Sequence, residues 1–268
     1  MRETITRFIM DAVAEKDKEG IITDIWRTPI VRFGNAELPE YDDLKRIIHP
    51  DHGTPKEILP TAKTVIAYFL PLRKEIGDTN KGGRLSSADW AKAYEKTNAF
   101  FYEFNDTLVA WLKEQGYDAA VSPEAGSYDD KLLLSKWSQR HIAYYCGLGT
   151  FGINNMLITE AGCCGRVSTV VTSLQVTHDY PVSEQYCLYK KDGSCGACVK
   201  HCPVGALSFE GYDRYKCNSL CDENAAVHVG YCETPSYSLS SDTELIGSNT
   251  CGKCVTVMPC TYGIPGKK

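Results

Sequence analysis

Apolar and polar positions follow each other along the chain in patterns that predict both helices and strands. Residues 1–18 place apolar side chains among charges at roughly helical spacing. A longer helix is predicted from a cap at Ser86 or Ser87 to a stop at Gly116, because bulky residues recur on one face. A further helical segment is predicted from Asp130 to Tyr145. The face of the long helix consists of Trp90, Tyr94, Phe101, Leu108 and Leu112.

Three runs are rich in β-branched and other apolar residues and are predicted to be strands. They are Thr64–Leu72, Met156–Thr159 and Arg166–Leu174. Strands that alternate with helices predict an α/β or α+β domain.

Composition narrows the class of protein. A chain of 268 residues with 43% hydrophobic residues can bury one large core, or a medium core plus a small module. No stretch approaches the roughly 20 apolar residues that cross a bilayer, and the first residues lack the apolar core of a signal peptide. We therefore expect a cytoplasmic protein that does not associate with membranes.

The charge distribution sets an expectation about partners. The net charge is −5, and there is no long run of Lys or Arg. A nucleic-acid backbone is usually bound by a basic surface, so we expect a small-molecule substrate and no nucleic acid.

Cysteines divide the chain into two parts. Ten of the 13 cysteines lie between Cys187 and Cys260, and the first 145 residues have none. An odd number of thiols in a reducing compartment favours metal or cluster binding over disulfides. We predict a domain over residues 1–180 and a cysteine-rich domain over residues 181–268.

The cysteine spacing is typical of iron–sulfur clusters. Cys195, Cys198 and Cys202, followed by Pro203, match the last three cysteines of the bacterial ferredoxin run, with Cys187 displaced upstream. A second half-motif holds Cys251 and Cys254, but Met258 precedes its proline and a cysteine follows the proline instead. In two-cluster ferredoxins the cysteine before proline binds the other cluster. The rule predicts two [4Fe-4S] clusters, each bound by four cysteines. The first set of ligands is Cys187, Cys195, Cys198 and Cys260. The second set is Cys202, Cys217, Cys251 and Cys254.

Alternatives remain for these cysteines. Cys221 is a rival to Cys217, and tetrahedral zinc with four thiolates is the main alternative to a cluster. The C-x3-C-P-x-G-A pattern favours clusters over zinc. The other cysteines, without a predicted ligand role, are Cys146, Cys163, Cys164 and Cys232.

A family resemblance lies in segment 138–154, Leu157–Thr159, Arg166 and the cysteine pattern. Through these residues the chain resembles the epoxyqueuosine reductases and the related corrinoid reductive dehalogenases. The resemblance implies a nitroreductase-like α/β domain that holds cobalamin, followed by a two-cluster bacterial ferredoxin-like module. It implies electron transfer from an external low-potential donor such as ferredoxin or flavodoxin, through the clusters, to cobalt. The candidate corrinoid contacts are Arg140, Gly147, Gly149, Gly152 and Asn154.

The glycines also match G-x-G-x-x-G, a dinucleotide fingerprint, but they follow a helical segment and precede a strand, which is the wrong context. A purely structural turn is the alternative to a corrin-facing loop. Candidate proton donors are His141, Tyr128 and Asp130. The alternative for His141 and Arg140 is stabilisation of a helix end, and for Tyr128 and Asp130 it is a solvated turn.

We therefore predict an iron–sulfur oxidoreductase that uses cobalamin to reduce a small molecule. The alternative is a non-enzymatic electron-transfer protein. The aspartate that donates a proton in the epoxyqueuosine enzymes falls in register with Leu133 here, and the helical-repeat extension of tRNA-binding members is absent. With the acidic charge, these departures lead us to expect no activity on tRNA.

Overall fold

A four-stranded antiparallel sheet forms the centre of the computed structural model, which describes residues 1–231 and 247–267. The strand order is β1-β2-β6-β3, and β4 pairs with β5 in a separate two-stranded sheet. The strands are β1 (Ile30–Asn35), β2 (Thr64–Pro71), β3 (Ala119–Ala120), β4 (Gly149–Phe151), β5 (Leu157–Thr159) and β6 (Gly165–Thr172).

Helices cover both faces of the larger sheet. They are α1 (Arg2–Lys16), α2 (Asp43–Ile47), α3 (Pro55–Ile58), α4 (Lys74–Thr79), α5 (Ala88–Glu114), α6 (Gln139–Tyr145), α7 (Leu188–Asp192), α8 (Ala197–His201) and α9 (Arg214–Val227). Single turns of 3-10 helix lie at Pro39–Tyr41 and Lys253–Val255. This mixed α and β architecture confirms the predicted class in its coarse form.

Strand β2 is buried along all eight residues, because each face of the sheet packs on helices. On one face, Ile66 and Tyr68 contact the core formed with α1 and α5. On the other face, Val65 and Phe69 join the core that contains Ile142 of α6. The predicted strand over 64–72 and the predicted long helix are both confirmed, and the Ser87 hydroxyl accepts the Trp90 N–H as the helix cap.

The predicted helix from Asp130 to Tyr145 is wrong in its first half. A carboxylate oxygen of Asp129 accepts the backbone N–H groups of Lys131 and Leu132, which holds this segment in a turn. Leu133 then adopts a left-handed φ of 52°, which no helix accommodates. Helix α6 begins only at Gln139.

The cysteine-rich segment packs on the same core as the sheet. Cys187 and Val255 belong to the hydrophobic cluster that includes Ile66 and Leu70. The Arg27 guanidinium donates to the carbonyl oxygens of Leu72, Ala161 and Tyr262, and so connects strand, loop and C-terminal segment. The division at residue 180 stays a prediction. Across residues 1–231 and 247–267, no helix is long and apolar enough to cross a membrane.

Candidate functional site

A cavity of about 640 Å³ opens between β6, α5, α6 and the loop over residues 121–128. Its floor is formed by the start of β6, where Gly165 lies against Leu70 and the Phe69 ring. Polar and aromatic groups converge on it from separate parts of the chain. The lining residues with chemistry relevant to a site are Tyr128, Arg140, Cys163, Arg166 and Tyr212.

Two guanidinium groups face this cavity. Arg140 donates to the Asn155 carbonyl oxygen, and burial lowers the pKa of its guanidinium while the hydroxyl of Tyr212 opposes that shift. Arg166 lies 4.1 Å from the centroid of the Tyr94 ring. Its Nε is buried and makes no hydrogen bond within the described part of the chain. A buried donor of this kind suits an acceptor group on a bound molecule, such as the amide-rich rim of a corrinoid.

All four cysteines of the first set line one narrow cavity, together with Met258, Gly152 and Asn154. Cys187 precedes α7, and Cys198 lies within α8. Burial raises the pKa of Cys198 to about 11, and the other three thiols of the set add to the shift. The sequence-predicted set is therefore assembled in space, and its all-sulfur donors fit a cluster.

Thiols of the second set influence one another's pKa values. Burial raises the pKa of Cys251 to about 11, and the nearby thiols of Cys217 and Cys202 add to it. Burial likewise raises the pKa of Cys254. The Cys202 sulfur accepts the Ala206 backbone N–H at 3.2 Å, a contact that stabilises a thiolate.

The rival ligands Cys217 and Cys221 differ in the pKa of their thiols. The two thiols are one turn apart on α9, and the hydrogen bond from Cys221 lowers the pKa of Cys217. The nearby Tyr212 hydroxyl also lowers the pKa of Cys217. The pKa of Cys221 is raised instead, so Cys217 more readily forms a thiolate, and the choice of ligand stays a prediction.

The geometry of the thiols bears on the zinc alternative. Over residues 1–231 and 247–267, no three His, Cys, Asp or Glu side chains converge on a point that could hold one metal ion. Tetrahedral zinc needs four ligands at such a point, whereas a cube of four irons takes each thiolate at a different corner. The choice between clusters and zinc stays a prediction. Cys232 lies outside the described residues.

Backbone geometry explains why two of the candidate corrinoid contacts, Gly147 and Gly149, are glycines. Gly147 ends α6 with a left-handed φ of 79°, and a Cβ there would collide with the Tyr180 carbonyl oxygen. A Cβ on Gly149 would collide with the Ile158 carbonyl oxygen across the β4–β5 pair. Neither glycine lines the large cavity, so their corrinoid role stays a prediction.

The candidate proton donors lie in different environments. Tyr128 lines the cavity, where burial and then the nearby Asp130 carboxylate raise its pKa. Asp130 is exposed and is not part of the cavity wall. Burial lowers the pKa of His141 to about 3, so its imidazole is neutral at physiological pH and poorly suited to donate a proton.

Sequence reasoning missed Cys163 and Tyr212 as residues of the site. Both line the large cavity, and each contacts a cysteine of one predicted set. The sulfur atoms of Cys163 and Cys260 are 3.8 Å apart although the residues are 97 positions apart. Sequence spacing carries no signal for such contacts.

No family model matches the chain. The epoxyqueuosine reductase of Bacillus subtilis strain 168 is 29% identical to it over 162 residues, which are 58% of this chain and 38% of that protein. The epoxyqueuosine reductase of Staphylococcus aureus is 24% identical over 271 residues, which are 92% of this chain and 65% of that protein. The chain resembles the epoxyqueuosine reductases. This confirms the resemblance seen in the sequence, although the chain spans under two thirds of the length of both relatives.

Solved structures show the same fold. An epoxyqueuosine reductase with an epoxyqueuosine-modified tRNA-Tyr stem loop superposes with a TM-score of 0.55 at 19% identity, over 98% of this chain and 68% of that one. A reductive dehalogenase whose structure suggests a mechanism for B12-dependent dehalogenation gives a TM-score of 0.51 at 16% identity, over 70% and 26% of the two chains.

These findings correct the expectation of a small-molecule substrate and no nucleic acid. The epoxyqueuosine reductase of the same fold has a modified tRNA stem loop as its ligand. Net charge misled the sequence interpretation because −5 is a sum over the whole chain. Binding depends on the local distribution of charge, and here Arg140 and Arg166 line the large cavity together with one acidic residue, Asp106.

Proposed function

We propose that this chain is an iron–sulfur oxidoreductase that reduces an epoxyqueuosine-type nucleoside in tRNA. In this proposal the two cysteine sets hold two [4Fe-4S] clusters, and the large cavity holds a corrinoid. The nitroreductase-like domain over residues 1–180 and the ferredoxin-like module over residues 181–268 belong to the same proposal. The sequence relatives and the shared fold support it.

The observation that carries the proposal is that the wall of the large cavity includes one residue beside each cysteine set. Its wall includes Cys163, whose sulfur contacts Cys260 of the first set. It also includes Tyr212, whose hydroxyl lies near Cys217 of the second set and lowers the pKa of its thiol. A redox cofactor in the cavity is therefore separated from either set by a single side chain, which suits electron transfer.

A corrinoid, when bound, supplies a cobalt centre that delivers electrons to the substrate, and the clusters supply those electrons one at a time. Reduction of an epoxide to an alkene releases its oxygen as water, so the overall reaction takes up two electrons and two protons. The protein must therefore provide a proton donor beside the cavity.

Tyr128 is the best placed residue for this role. Its side chain lines the cavity and is 36% exposed, so it can recover a proton from solvent. Burial and the charge of Asp130 raise the pKa of Tyr128, which keeps the hydroxyl protonated at neutral pH. Asp130 would then act through Tyr128 and not on the substrate directly.

The guanidinium groups of Arg140 and Arg166 would bind and orient acceptor groups of the molecule in the cavity. The unpartnered Nε of Arg166 provides a donor for this purpose. Arg166 is held in place by its stacking on the Tyr94 ring, so it presents a rigid donor.

The proposal is tested with anaerobically purified protein in three measurements. Iron and sulfide should reach about eight each per chain, as expected for two cubes. Titration with cobalamin should change its visible spectrum in proportion to the protein added. With a low-potential chemical reductant, the loaded protein should convert epoxyqueuosine in tRNA, as measured by mass spectrometry of the nucleosides.

A pair of tyrosine variants isolates the proton donor. Tyr128→Phe should lower turnover by roughly 10²- to 10⁴-fold, the usual contribution of a general acid, while cluster content stays the same. Tyr180→Phe is the matched control, because Tyr180 is 71% exposed and does not line the cavity. Stoichiometric zinc without iron would refute the cluster proposal. If protein loaded with clusters and corrinoid does not convert epoxyqueuosine in tRNA, the proposed substrate is wrong.

A further inference from the structure

Cys163 lies where the first cysteine set meets the large cavity. Its sulfur is 3.8 Å from the Cys260 sulfur, and its backbone N–H donates to the Cys260 carbonyl oxygen at 2.9 Å. The next residue, Cys164, donates its N–H to the Thr261 carbonyl oxygen at 3.0 Å. Two successive backbone bonds thus fix the relative position of the two thiols.

The distance argues against a second ligand role for Cys163 beside Cys260. Each ligand of a [4Fe-4S] cube binds a different corner iron, so the sulfurs of two ligands to one cube are not in van der Waals contact. Cys260 shares its cavity with Cys187, Cys195 and Cys198, whereas Cys163 lines the neighbouring large cavity. This separation favours Cys260 as the ligand and Cys163 as its neighbour outside the cluster.

We propose that the Cys163 thiol donates an S–H···S hydrogen bond to the Cys260 thiolate and thereby raises the reduction potential of the first cluster. This inference rests on the proposed clusters. The reduced cluster carries one more negative charge than the oxidised cluster, so a donor to its ligand sulfur stabilises the reduced form more. Cys163 thus affects the reduction potential of the cluster through Cys260 and does not bind the cluster itself.

The position of Cys163 also explains why a thiol is suitable. The site is buried, with Cys163 only 3% exposed, so a water molecule is poorly placed to donate to Cys260 from this side. Without the thiol the Cys260 thiolate would lose a donor on the face toward the large cavity.

The experiment is a redox titration of anaerobically purified protein, followed by paramagnetic resonance and visible absorbance. Cys163→Ala removes the donor, and Cys163→Ser replaces it with a hydroxyl donor. Cys164→Ala is the matched control, since Cys164 is an adjacent buried thiol that does not line either cavity. The second cluster in each sample serves as an internal reference.

We expect Cys163→Ala to keep both clusters and to lower the potential of one of them, with a several-fold fall in its reduction equilibrium constant. A tenfold fall corresponds to 59 mV for one electron. Cys163→Ser should keep most of the wild-type potential, and Cys164→Ala should keep all of it.

Two results would overturn the inference while leaving the proposed clusters intact. One is an iron-replete Cys163→Ala variant with unchanged potentials. The other is loss of one whole cube in Cys163→Ala, which would make Cys163 a ligand. Wild-type protein without any cluster signal would instead refute the proposed function, and this inference with it.

Discussion

The side chain of Asn154 donates a hydrogen bond from Nδ2 to the backbone carbonyl oxygen of Cys254 at 3.0 Å. Its Oδ1 accepts the backbone N–H of Met156, so the buried amide joins the loop before β5 to the second half-motif. The sequence predicted Asn154 as a corrinoid contact. The geometry favours a different contribution, the positioning of Cys254.

Asn154→Ala should weaken the second cluster. The substitution leaves the partly buried Cys254 carbonyl and Met156 N–H without their partners, which costs up to about 1–3 kcal/mol for each group. We expect a lower unfolding temperature and faster loss of about four irons per chain on exposure to a chelator, measured by absorbance. Asn35→Ala is the control, because the hydrogen bond from the Glu37 N–H to Asn35 is exposed. Equal iron loss in both variants would contradict the prediction.

Gly252, between Cys251 and Cys254, is predicted to tolerate no side chain. It has a left-handed φ of 69°, and a Cβ there would collide with the Trp90 ring. That ring is held by a hydrogen bond from Trp90 Nε1 to Thr250 Oγ1 at 3.1 Å. Backbone strain alone should lower the free energy of unfolding of Gly252→Ala by about 1–3 kcal/mol, and the collision should lower it further.

Thermal unfolding and iron content measure this effect. Gly211→Ala is the matched control, since a Cβ on Gly211 would have no neighbour within 4 Å. We expect Gly252→Ala to retain the first cluster preferentially and Gly211→Ala to behave like wild type. A fully stable Gly252→Ala variant with both clusters would mean that the turn reorganises without cost.

Sequence patterns predicted the long helix and the buried strand well because both depend on local signals. A serine cap and a repeated apolar face specify α5, and a continuous apolar run specifies β2. The error at Asp130 also has a local cause. The Asp129 side chain competes for backbone N–H groups, and apolar periodicity does not register such competition.

The site was predictable only where its residues are close in sequence. The C-x2-C spacings identified cysteines that the fold then places together. The cavity could not be predicted, because it depends on how α5, α6 and β6 pack. Tyr212 and Cys163 belong to the site through contacts across that packing, and no periodicity or spacing encodes those contacts.

Crossed ligation is predicted for Cys202. It follows Cys198 by one turn of helix, yet the ferredoxin rule assigns it to the second set, and its thiol adds to the raised pKa of Cys251 and Cys254. Cys202→Ala should therefore remove the second cluster, while Cys260→Ala should remove the first. Each variant should keep about four irons per chain and one paramagnetic signal, because the other set retains all four thiolates.

Double variants distinguish crossed from local ligation. Cys202→Ala combined with Cys251→Ala affects one set and should still leave one cluster. Cys202→Ala combined with Cys195→Ala affects both sets and should leave none. The reverse outcome, in which the first pair loses both clusters and the second pair only one, would establish local ligation.

His141 is predicted to make the protein less stable as the pH falls below neutrality. Burial, and secondarily the charge of Arg140, lower its pKa from 6.5 to about 3 in the folded protein. Between these values the unfolded chain binds a proton that the folded protein does not, so protonation favours unfolding. The destabilisation is absent above pH 6.5 and grows as the pH falls toward about 3, with a slope of at most about 1.4 kcal/mol per pH unit.

The comparison of wild type with His141→Gln isolates this contribution. Glutamine can replace the hydrogen bond between His141 Nδ1 and Ser138 Oγ, which is 2.7 Å long, but it does not titrate. Cluster loss in acid affects both proteins and cancels in the difference. Denaturant unfolding from pH 7.5 to 5 should show a shallower decline for His141→Gln than for wild type. Parallel declines would mean that the imidazole is protonated in the folded protein, and would restore His141 as a candidate proton donor.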